Sequence, residues 1–287
     1  MYDRGMNMNT AIRRAAFLLA AALALLPAAA SAQHAYSVNV LNQRSIALTA
    51  EYWNPIITYA AKKSGVPLEL KLAKTSKEGN SVAERYGYDF LYTNHFFTPE
   101  RDKLGFRVIA RPAGPGIRSQ IVVPEDSPIQ RLQDLAGKDV AFVSPDAFAG
   151  YWLPMDALLR AKVKVNVIFT GNQEASSAQL KVNKVAAAGV NGSVLARYAR
   201  REQFSYRALW TSELYQDLCV MANPKVPAEK AEAVRKALIG MAADPEGMKI
   251  LQAGADLLKS TGELGFVAAD NKDYDNYRRF YRSTQVK

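Results

Sequence analysis

The sequence is poor in cysteine and histidine, with one cysteine and two histidines among 287 residues. The single cysteine, Cys219, excludes an intramolecular disulfide. Its apolar neighbours predict a buried structural thiol rather than a soft-metal ligand. Recognisable nucleophile-elbow, phosphate-loop and His-Glu-x-x-His motifs are also missing from the sequence. We therefore expect no catalytic residue, no metal and no cofactor, and hence a protein that is not an enzyme.

Long apolar runs are scarce, and the clearest one lies near the start of the chain. Residues 15–26 are apolar, follow Arg13 and Arg14, and precede Ala30-Ser31-Ala32. This order is typical of a secretory signal, and the run is shorter than the roughly 20 residues of a membrane-spanning helix. We predict cleavage after Ala32. Because no cysteine lies near that site, we expect a freely soluble periplasmic protein rather than a lipid-anchored one.

Acidic residues are in deficit, with 27 Asp and Glu against 37 Lys and Arg, a formal net charge of +10. In a cytosolic protein this balance would suggest nucleic acid as a partner, but export removes that partner. The excess then indicates an anionic solute, loose attraction to anionic surfaces, or solubility alone. In a cytosolic protein, the tyrosine- and arginine-rich stretch 274–282 would also suggest nucleic-acid binding. Because the protein is expected to be exported, we interpret this stretch as a C-terminal helix that packs its rings on a lobe.

Apolar β-type runs alternate with helical patterns along most of the chain, which is typical of an α/β protein with largely parallel sheets. A helix over residues 53–63 is predicted from apolar positions at helical spacing, with Pro55 kinking its beginning. The predicted strands are residues 36–41, 68–72, 89–93, 106–110, 118–123, 140–143, 163–169, 185–190, 206–210 and 218–222.

Two loops interrupt this alternation and predict the limits of two lobes. Residues 111–116 are rich in proline and glycine, and residues 211–217 are polar. Two crossings between lobes imply that residues 36–118 and 214–287 together form one lobe, and that residues 119–213 form the other. A ligand would then lie between the lobes, at the carboxyl ends of the strands.

Two strand-to-helix junctions are the strongest candidates for a binding site. At the first, Ser144 as N-cap, Pro145 and Asp146 predict the start of a helix. At the second, Thr170 and Gln173 have the spacing of a capping box. A helix start offers free N–H groups and a positive dipole end, which hold small anions. The structural alternative is that these residues only cap helices.

Further candidates follow from positions at strand ends. Gln43 and Arg44 follow the first strand, and an arginine can hold an oxyanion with two hydrogen bonds. His95 is interpreted as a structural donor rather than a ligand. The candidate ligand-binding residues are Gln43, Arg44, Tyr92, Asn94, Ser144, Asp146, Phe148, Asn172, Gln173, Glu174 and Asn191.

Several segments, in the expected order, resemble the substrate-binding proteins of phosphate, phosphite and phosphonate ABC transporters. The resemblance covers most of the predicted mature chain, residues 33–287. It is carried by Leu41-Asn42-Gln43-Arg44-Ser45, Thr49-Ala50-Glu51-Tyr52-Trp53-Asn54-Pro55, Asp89-Phe90-Leu91-Tyr92-Thr93-Asn94, Ser127-Pro128-Ile129 with Asp134-Leu135-Ala136-Gly137-Lys138, the 144–151 junction and Gln173-Glu174-Ala175-Ser176.

The resemblance implies a type 2 periplasmic-binding fold, in which two α/β lobes joined by two crossing segments close on a solute. It also implies a monomer that presents its solute to an ABC permease. Relatives of this kind also serve as periplasmic sensors that dock on a membrane histidine kinase, or as accessory proteins of redox systems. These partners remain alternatives to the permease.

The first junction departs from the pattern of the family. Members that bind phosphorus oxyanions tend to have Ser and Thr in the first turn of this helix, whereas this chain has Ala147, Phe148 and Ala149. Asp146 would also repel a dianion from the positive end of the helix. The resemblance therefore predicts a small phosphate- or phosphonate-like anion, and the departure favours a less charged organic solute as the alternative.

Overall fold

Two mixed β-sheets organise the chain in this computed structural model, which describes residues 35–287. The first sheet contains β1 (Tyr36–Val40), β2 (Leu68–Leu70), β3 (Phe90–Thr93), β4 (Arg107–Pro112), β10 (Cys219–Ala222) and β11 (Phe266–Ala268), in the order β11-β4-β10-β3-β1-β2. The second contains β5 (Ser119–Pro124), β6 (Asp139–Phe142), β7 (Asn166–Phe169), β8 (Ala187–Asn191) and β9 (Tyr206–Thr211), in the order β7-β6-β8-β5-β9. The predicted signal and its cleavage site lie outside the described residues.

The expectation of largely parallel sheets is wrong. Four strand pairs are parallel, β1 with β2 and β3, and β6 with β7 and β8. Five pairs are antiparallel, and each of these includes β5 or β10 or joins β11 to β4. The physical reason is the crossing itself, because β5 and β10 enter a sheet directly from the other one and need no connecting helix to reverse direction.

Helices cover the faces of both sheets. They are α1 (Ile46–Ser64), α2 (Ser76–Glu84), α3 (Pro99–Asp102), α4 (Leu153–Arg160), α5 (Gln173–Lys181), α6 (Gly192–Glu202), α7 (Ala228–Ile239), α8 (Pro245–Leu258) and α9 (Asp275–Ser283). The predicted start of the first helix is wrong. Helix α1 begins at Ile46, where the Ser45 hydroxyl accepts the Leu48 N–H, so that Pro55 lies in its middle. It ends at Gly65, whose positive φ of 67° suits glycine.

The two sheets are joined by residues 113–118 and 212–218, which lie side by side. Ile117 and Tyr215 exchange two backbone hydrogen bonds, of 2.7 and 2.9 Å. The preceding residue, Gly116, has a φ of 100°, and a Cβ added there would come within 2.2 Å of the Tyr215 carbonyl oxygen. Only glycine allows the two crossing segments to approach so closely.

The C-terminal helix packs its rings against the protein, which confirms that part of the prediction. Tyr277 and Tyr281 of α9 are buried among the aromatic side chains of the core. The chain then continues to the helix α4 that covers the second sheet. There Asp156 accepts the Thr284 hydroxyl at 2.9 Å and the Gln285 N–H at 2.7 Å, and Val286 is buried. We call residues 284–287 the C-terminal strap.

Two further expectations concern the single cysteine and a membrane-spanning helix. Cys219 is fully buried, and its thiol donates to the Thr93 carbonyl oxygen at 3.2 Å, as expected of a structural thiol. A search of residues 35–287 for a helix with the length and apolar character of a membrane span finds none.

Candidate functional site

Strand ends from both sheets meet at the crossing segments and surround a small cavity of about 20 Å³. The volume is enough for about one water molecule. Two buried atoms that line it, Asn42 Oδ1 and Ser76 Oγ, have no hydrogen-bond partner among the described residues. Its other polar walls come from Gln43, Asn94, His95, Gln173 and Asn191. We refer to this space as the small cavity.

The predicted helix start at the first junction is wrong. Residues 145–147 form a turn, and a single π-helical turn begins only at Phe148, with Ala147 before it. The Ser144 hydroxyl is buried and has no partner in residues 35–287, so it caps no helix. The Phe148 ring, whose centroid lies 4.0 Å from that of Tyr277, fills the space beside the small cavity.

Asp146 points away from the small cavity and joins the two halves of the molecule. It forms an ion pair with Arg101 at 2.9 Å and accepts a hydrogen bond from Asn80 at 3.1 Å. Burial is the largest influence and opposes its ionisation, but the Arg101 guanidinium, His95 and the Asn80 hydrogen bond together hold the pKa of this carboxyl below its usual range. The carboxylate therefore already has its partners, and it neither lines the cavity nor offers a donor to an anion.

His95 belongs to the same network, on its buried side. The Asn80 amide lies 3.1 Å from His95 Nδ1, so that one amide hydrogen reaches the ring while the other reaches Asp146. This arrangement assigns Nδ1 as the acceptor of a neutral ring. Burial lowers the pKa of His95 to about 4, although the Asp146 carboxylate acts against it. The ring is thus uncharged at neutral pH.

The predicted capping box of Thr170 and Gln173 at the second junction is also wrong, because a different residue caps the helix. The N-cap of α5 is Asn172, whose Oδ1 accepts the Ala175 N–H at 2.8 Å, and Thr170 instead bonds to the Ser176 hydroxyl. Gln173 faces the small cavity, and its Oε1 accepts the Asn191 N–H at 2.9 Å. The side chains of this junction therefore hold one another in place around the cavity.

Two more predicted residues face the small cavity and are tied by hydrogen bonds. Asn94 donates to the Tyr277 hydroxyl at 3.2 Å. Asn191 Oδ1 accepts the Ser193 N–H at 2.9 Å and caps α6. Both side chains are buried, and each keeps further hydrogen-bonding groups. They are suited to hold a water molecule or a small polar group.

A larger chamber of about 330 Å³ lies on the other side of Gln43, between α1 and α8 of the first sheet and α6 of the second. The predicted residues Arg44 and Tyr92 line it. The lining residues that sequence reasoning missed include Tyr52, Arg197, Arg200 and Asp217. The signal that predicts Arg197 and Arg200 is their spacing of three residues on the helix that follows Asn191, which places both on one face. We call this space the arginine chamber.

Electrostatics distinguish the arginine chamber from the small cavity. Burial, and then the nearby Arg197, lower the pKa of Arg44 to about 10. Glu174 lies 3.9 Å from Arg44 Nε but forms its hydrogen bond with Arg201, at 3.0 Å. Burial also raises the pKa of Tyr52 and that of the Asp217 carboxyl. The chamber is therefore a place where positive charge is held with little compensation.

The eleven predicted residues thus fall into three groups. Gln43, Asn94, Phe148, Gln173 and Asn191 line the small cavity, and Arg44 and Tyr92, again with Gln43, line the arginine chamber. Ser144, Asp146, Asn172 and Glu174 line neither space. In residues 35–287, no group of three or more His, Cys, Asp and Glu side chains is placed to hold a metal ion.

Comparisons with known proteins agree with this architecture. The family model described as "ABC transporter, phosphonate, periplasmic substrate-binding protein" matches residues 39–274. PhnD1 of Prochlorococcus marinus, solved with methylphosphonate, is similar with a TM-score of 0.73 and 15% identity, over 86% of this chain and 97% of that one. No curated protein matches the sequence.

Two further solved structures have the same fold. A binding-protein component of a phosphonate ABC transporter from Pseudomonas aeruginosa has a TM-score of 0.72 and 16% identity, over 86% of this chain and 85% of that one. A Xanthomonas citri protein solved with chloride has a TM-score of 0.68 and 16% identity, over 86% and 96%. At such low identity these similarities show the fold, which is the two-lobe α/β architecture predicted from the sequence.

Proposed function

This chain belongs to the family of periplasmic substrate-binding proteins of phosphonate ABC transporters, and on that premise we propose that it captures a small phosphonate-type anion between two lobes. The lobes are residues 36–118 with 214–287, and residues 119–213. The solute is then presented to an ABC permease. We also propose that the protein is a monomer in the periplasm and that it catalyses no reaction. Its signal is cleaved after Ala32.

The observation that carries this proposal is the meeting of polar strand ends from both sheets at the crossing segments. Gln43 and Asn94 follow strands of the first sheet, whereas Gln173 follows a strand of the second sheet and Asn191 ends another. The Glu174 N–H donates to the Gln43 carbonyl oxygen across this boundary at 3.3 Å. A ligand bound at the boundary between the two sheets contacts both lobes, so its binding favours the closed arrangement.

The proposal is tested by a thermal-shift screen of residues 33–287, stripped of co-purified ligand by unfolding and refolding. The probes are phosphate, phosphite, methylphosphonate and phenylphosphonate, with sulfate and neutral organic solutes for comparison. A ligand at about 100 times its dissociation constant stabilises by about 2.7 kcal/mol. For a chain of this length the melting temperature should rise by roughly 5–10 °C. Shifts with neutral solutes alone would contradict the proposal.

One observation favours the second candidate, a less charged organic solute. The first junction offers no hydroxyl donors, because Ala147, Phe148 and Ala149 are buried against the core and the Ser144 hydroxyl does not line the cavity. If this candidate is correct, replacing Ala147, which lines the small cavity, by Thr should create oxyanion binding that the wild type lacks. Isothermal titration with phosphate and methylphosphonate measures that gain.

A further inference from the structure

Three arginines line the arginine chamber, and neither the Arg44 guanidinium nor the Arg197 Nε atom has a hydrogen-bond partner within residues 35–287. Arg44 is only 6% exposed, and its one ion pair within residues 35–287 is the 3.9 Å approach of Nε to Glu174. That separation is longer than a hydrogen bond. The Arg197 Nε atom is buried and has no hydrogen-bond partner in the same part of the chain. Arg200 is exposed at the rim.

The carboxylates around the chamber compensate this charge only partly. Glu174 is already hydrogen-bonded to Arg201. Asp217 lines the chamber and accepts the Leu218 N–H at 2.7 Å, and Glu263 lines it from the loop before β11. Neither of these two lies within 4 Å of an arginine nitrogen in the described residues. Buried guanidinium groups in this state are costly, since charge removed from water requires a partner.

The remaining walls of the chamber are aromatic. The Arg44 guanidinium carbon lies 5.9 Å from the centre of the Tyr52 ring, and the rings of Trp53 and Tyr92 are 4.5 Å apart. A volume of about 330 Å³ lies in the range of sites for organic ligands. The small cavity, at about 20 Å³, holds a water molecule but not a phosphonate group.

We propose that the anionic group of the solute lies between Arg44 and Arg197, and that its organic portion lies against Tyr52 and Tyr92. The site thus selects an organic anion with an apolar or aromatic substituent over inorganic phosphate. This inference deepens the proposed function and rests on it for the phosphonate class. It places the charge in the arginine chamber rather than at the helix start of the first junction.

The arrangement also explains how binding is coupled to closure. Arg44 follows β1 of the first sheet, whereas Arg197 lies on α6 of the second. Without an anion the two like charges repel each other across the boundary between the lobes. An anion between them replaces this repulsion by two charge-assisted contacts and draws the lobes together.

The test is isothermal titration of phenylphosphonate, inorganic phosphate and benzoate into wild type, Arg44→Gln and Arg197→Gln. We expect phenylphosphonate to bind more tightly than phosphate, and each substitution to weaken it by roughly 10- to 100-fold, as for the loss of one hydrogen bond to a charged group. Arg235→Gln is the matched control, because Arg235 pairs with Glu232 on α7 and lines neither space. Its affinity should stay within twofold of wild type.

The outcomes separate the inference from the function on which it rests. Tight phenylphosphonate binding that both arginine variants retain overturns the inference alone. If wild type binds benzoate but not phenylphosphonate, and the two arginine variants lose benzoate binding, the phosphonate function is overturned and the site is supported. If neither organic anion binds, both are overturned.

A second readout does not depend on any ligand. Since Arg44 carries a buried charge that has no hydrogen-bonded partner in residues 35–287, ligand-free Arg44→Gln should melt higher than wild type, by roughly 2–4 °C for each kcal/mol gained. A structural role for Arg44 predicts the opposite sign, so a lower melting temperature would also count against the site.

Discussion

At the residue scale, the Asn80 amide connects an uncharged side chain to an ionised one. It donates to the neutral His95 ring on one side and to the ionised Asp146 on the other. Protonation of His95 at Nδ1 would replace its acceptor by a second donor that faces the amide. The ring therefore contributes to stability only while it is neutral.

This network predicts a pH dependence that one substitution should remove. The pKa of His95 is lowered to about 4 in the folded protein, against about 6.5 unfolded. The unfolded chain thus takes up the proton first, and stability is complete above about pH 6.5 and falls as the pH decreases towards 4. The loss is at most roughly 3 kcal/mol. His95→Gln, which keeps a hydrogen-bond acceptor, should flatten the curve of unfolding free energy against pH.

Chemical denaturation at several pH values measures the difference between the two proteins. The control is Asp134→Asn, because Asp134 lies outside the Asn80 network and titrates in a different range. Hydrogen bonds from Gln130 and Arg131 lower the pKa of its carboxyl, so its contribution is complete above about pH 3.9 and is lost only below that value. Parallel curves for wild type and His95→Gln between pH 7 and 4 would show that His95 does not cause the dependence.

At the scale of elements, helix α5 tests whether a predicted site residue binds ligand or caps a helix. Asn172→Ala removes the acceptor for the Ala175 N–H and should lower the free energy of unfolding by about 1 kcal/mol, within 0.5–2. Asn172→Asp keeps the cap and should restore stability. Neither change should alter ligand affinity, because Asn172 lines neither the small cavity nor the arginine chamber. Denaturation and titration of the same samples give both values.

The strands show which elements a sequence can predict. All ten predicted strands are present with shifted ends, since their apolar runs are long and bounded by turn residues. Strand β11, at Phe266–Ala268, has three residues and too short a pattern to detect. Its pairing with β4 comes from tertiary packing. The direction of β5 and β10 likewise depends on the crossing and not on local sequence.

The site was predictable to a similar extent. Positions after strands identify Gln43, Asn94 and Asn191, because those ends converge in an α/β fold. The sequence could not show that Asp146 pairs with Arg101, since the two residues are 45 positions apart and belong to different sheets. For the same reason, the sequence could not show that Arg197 of α6 lines the same chamber as Arg44.

At the scale of the whole molecule, the C-terminal strap is a further link between the sheets. The helix α9 packs beside α3, where Arg278 pairs with Asp102 at 2.7 Å, while the strap binds Asp156 of α4. Opening of the lobes must therefore release or carry this segment, in addition to bending at Ile117 and Tyr215.

Removal of residues 284–287 should accordingly ease opening. The truncated protein loses the buried Val286 and two hydrogen bonds, so we expect an unfolding free energy lower by about 2–4 kcal/mol. Its radius of gyration without ligand should exceed that of wild type in small-angle X-ray scattering. Lys287→Ala, which changes only the exposed last residue, is the control. Equal radii for all three proteins would show that the strap does not hold the lobes.

The buried Cys219 has a practical consequence for following these motions. It is the single cysteine of the sequence and is fully buried, so maleimide dyes will not reach it in the folded protein. One cysteine introduced on an exposed position of each lobe then carries a donor and an acceptor dye on an otherwise unmodified background. Opening and closing can thus be observed in single molecules without first removing a native thiol.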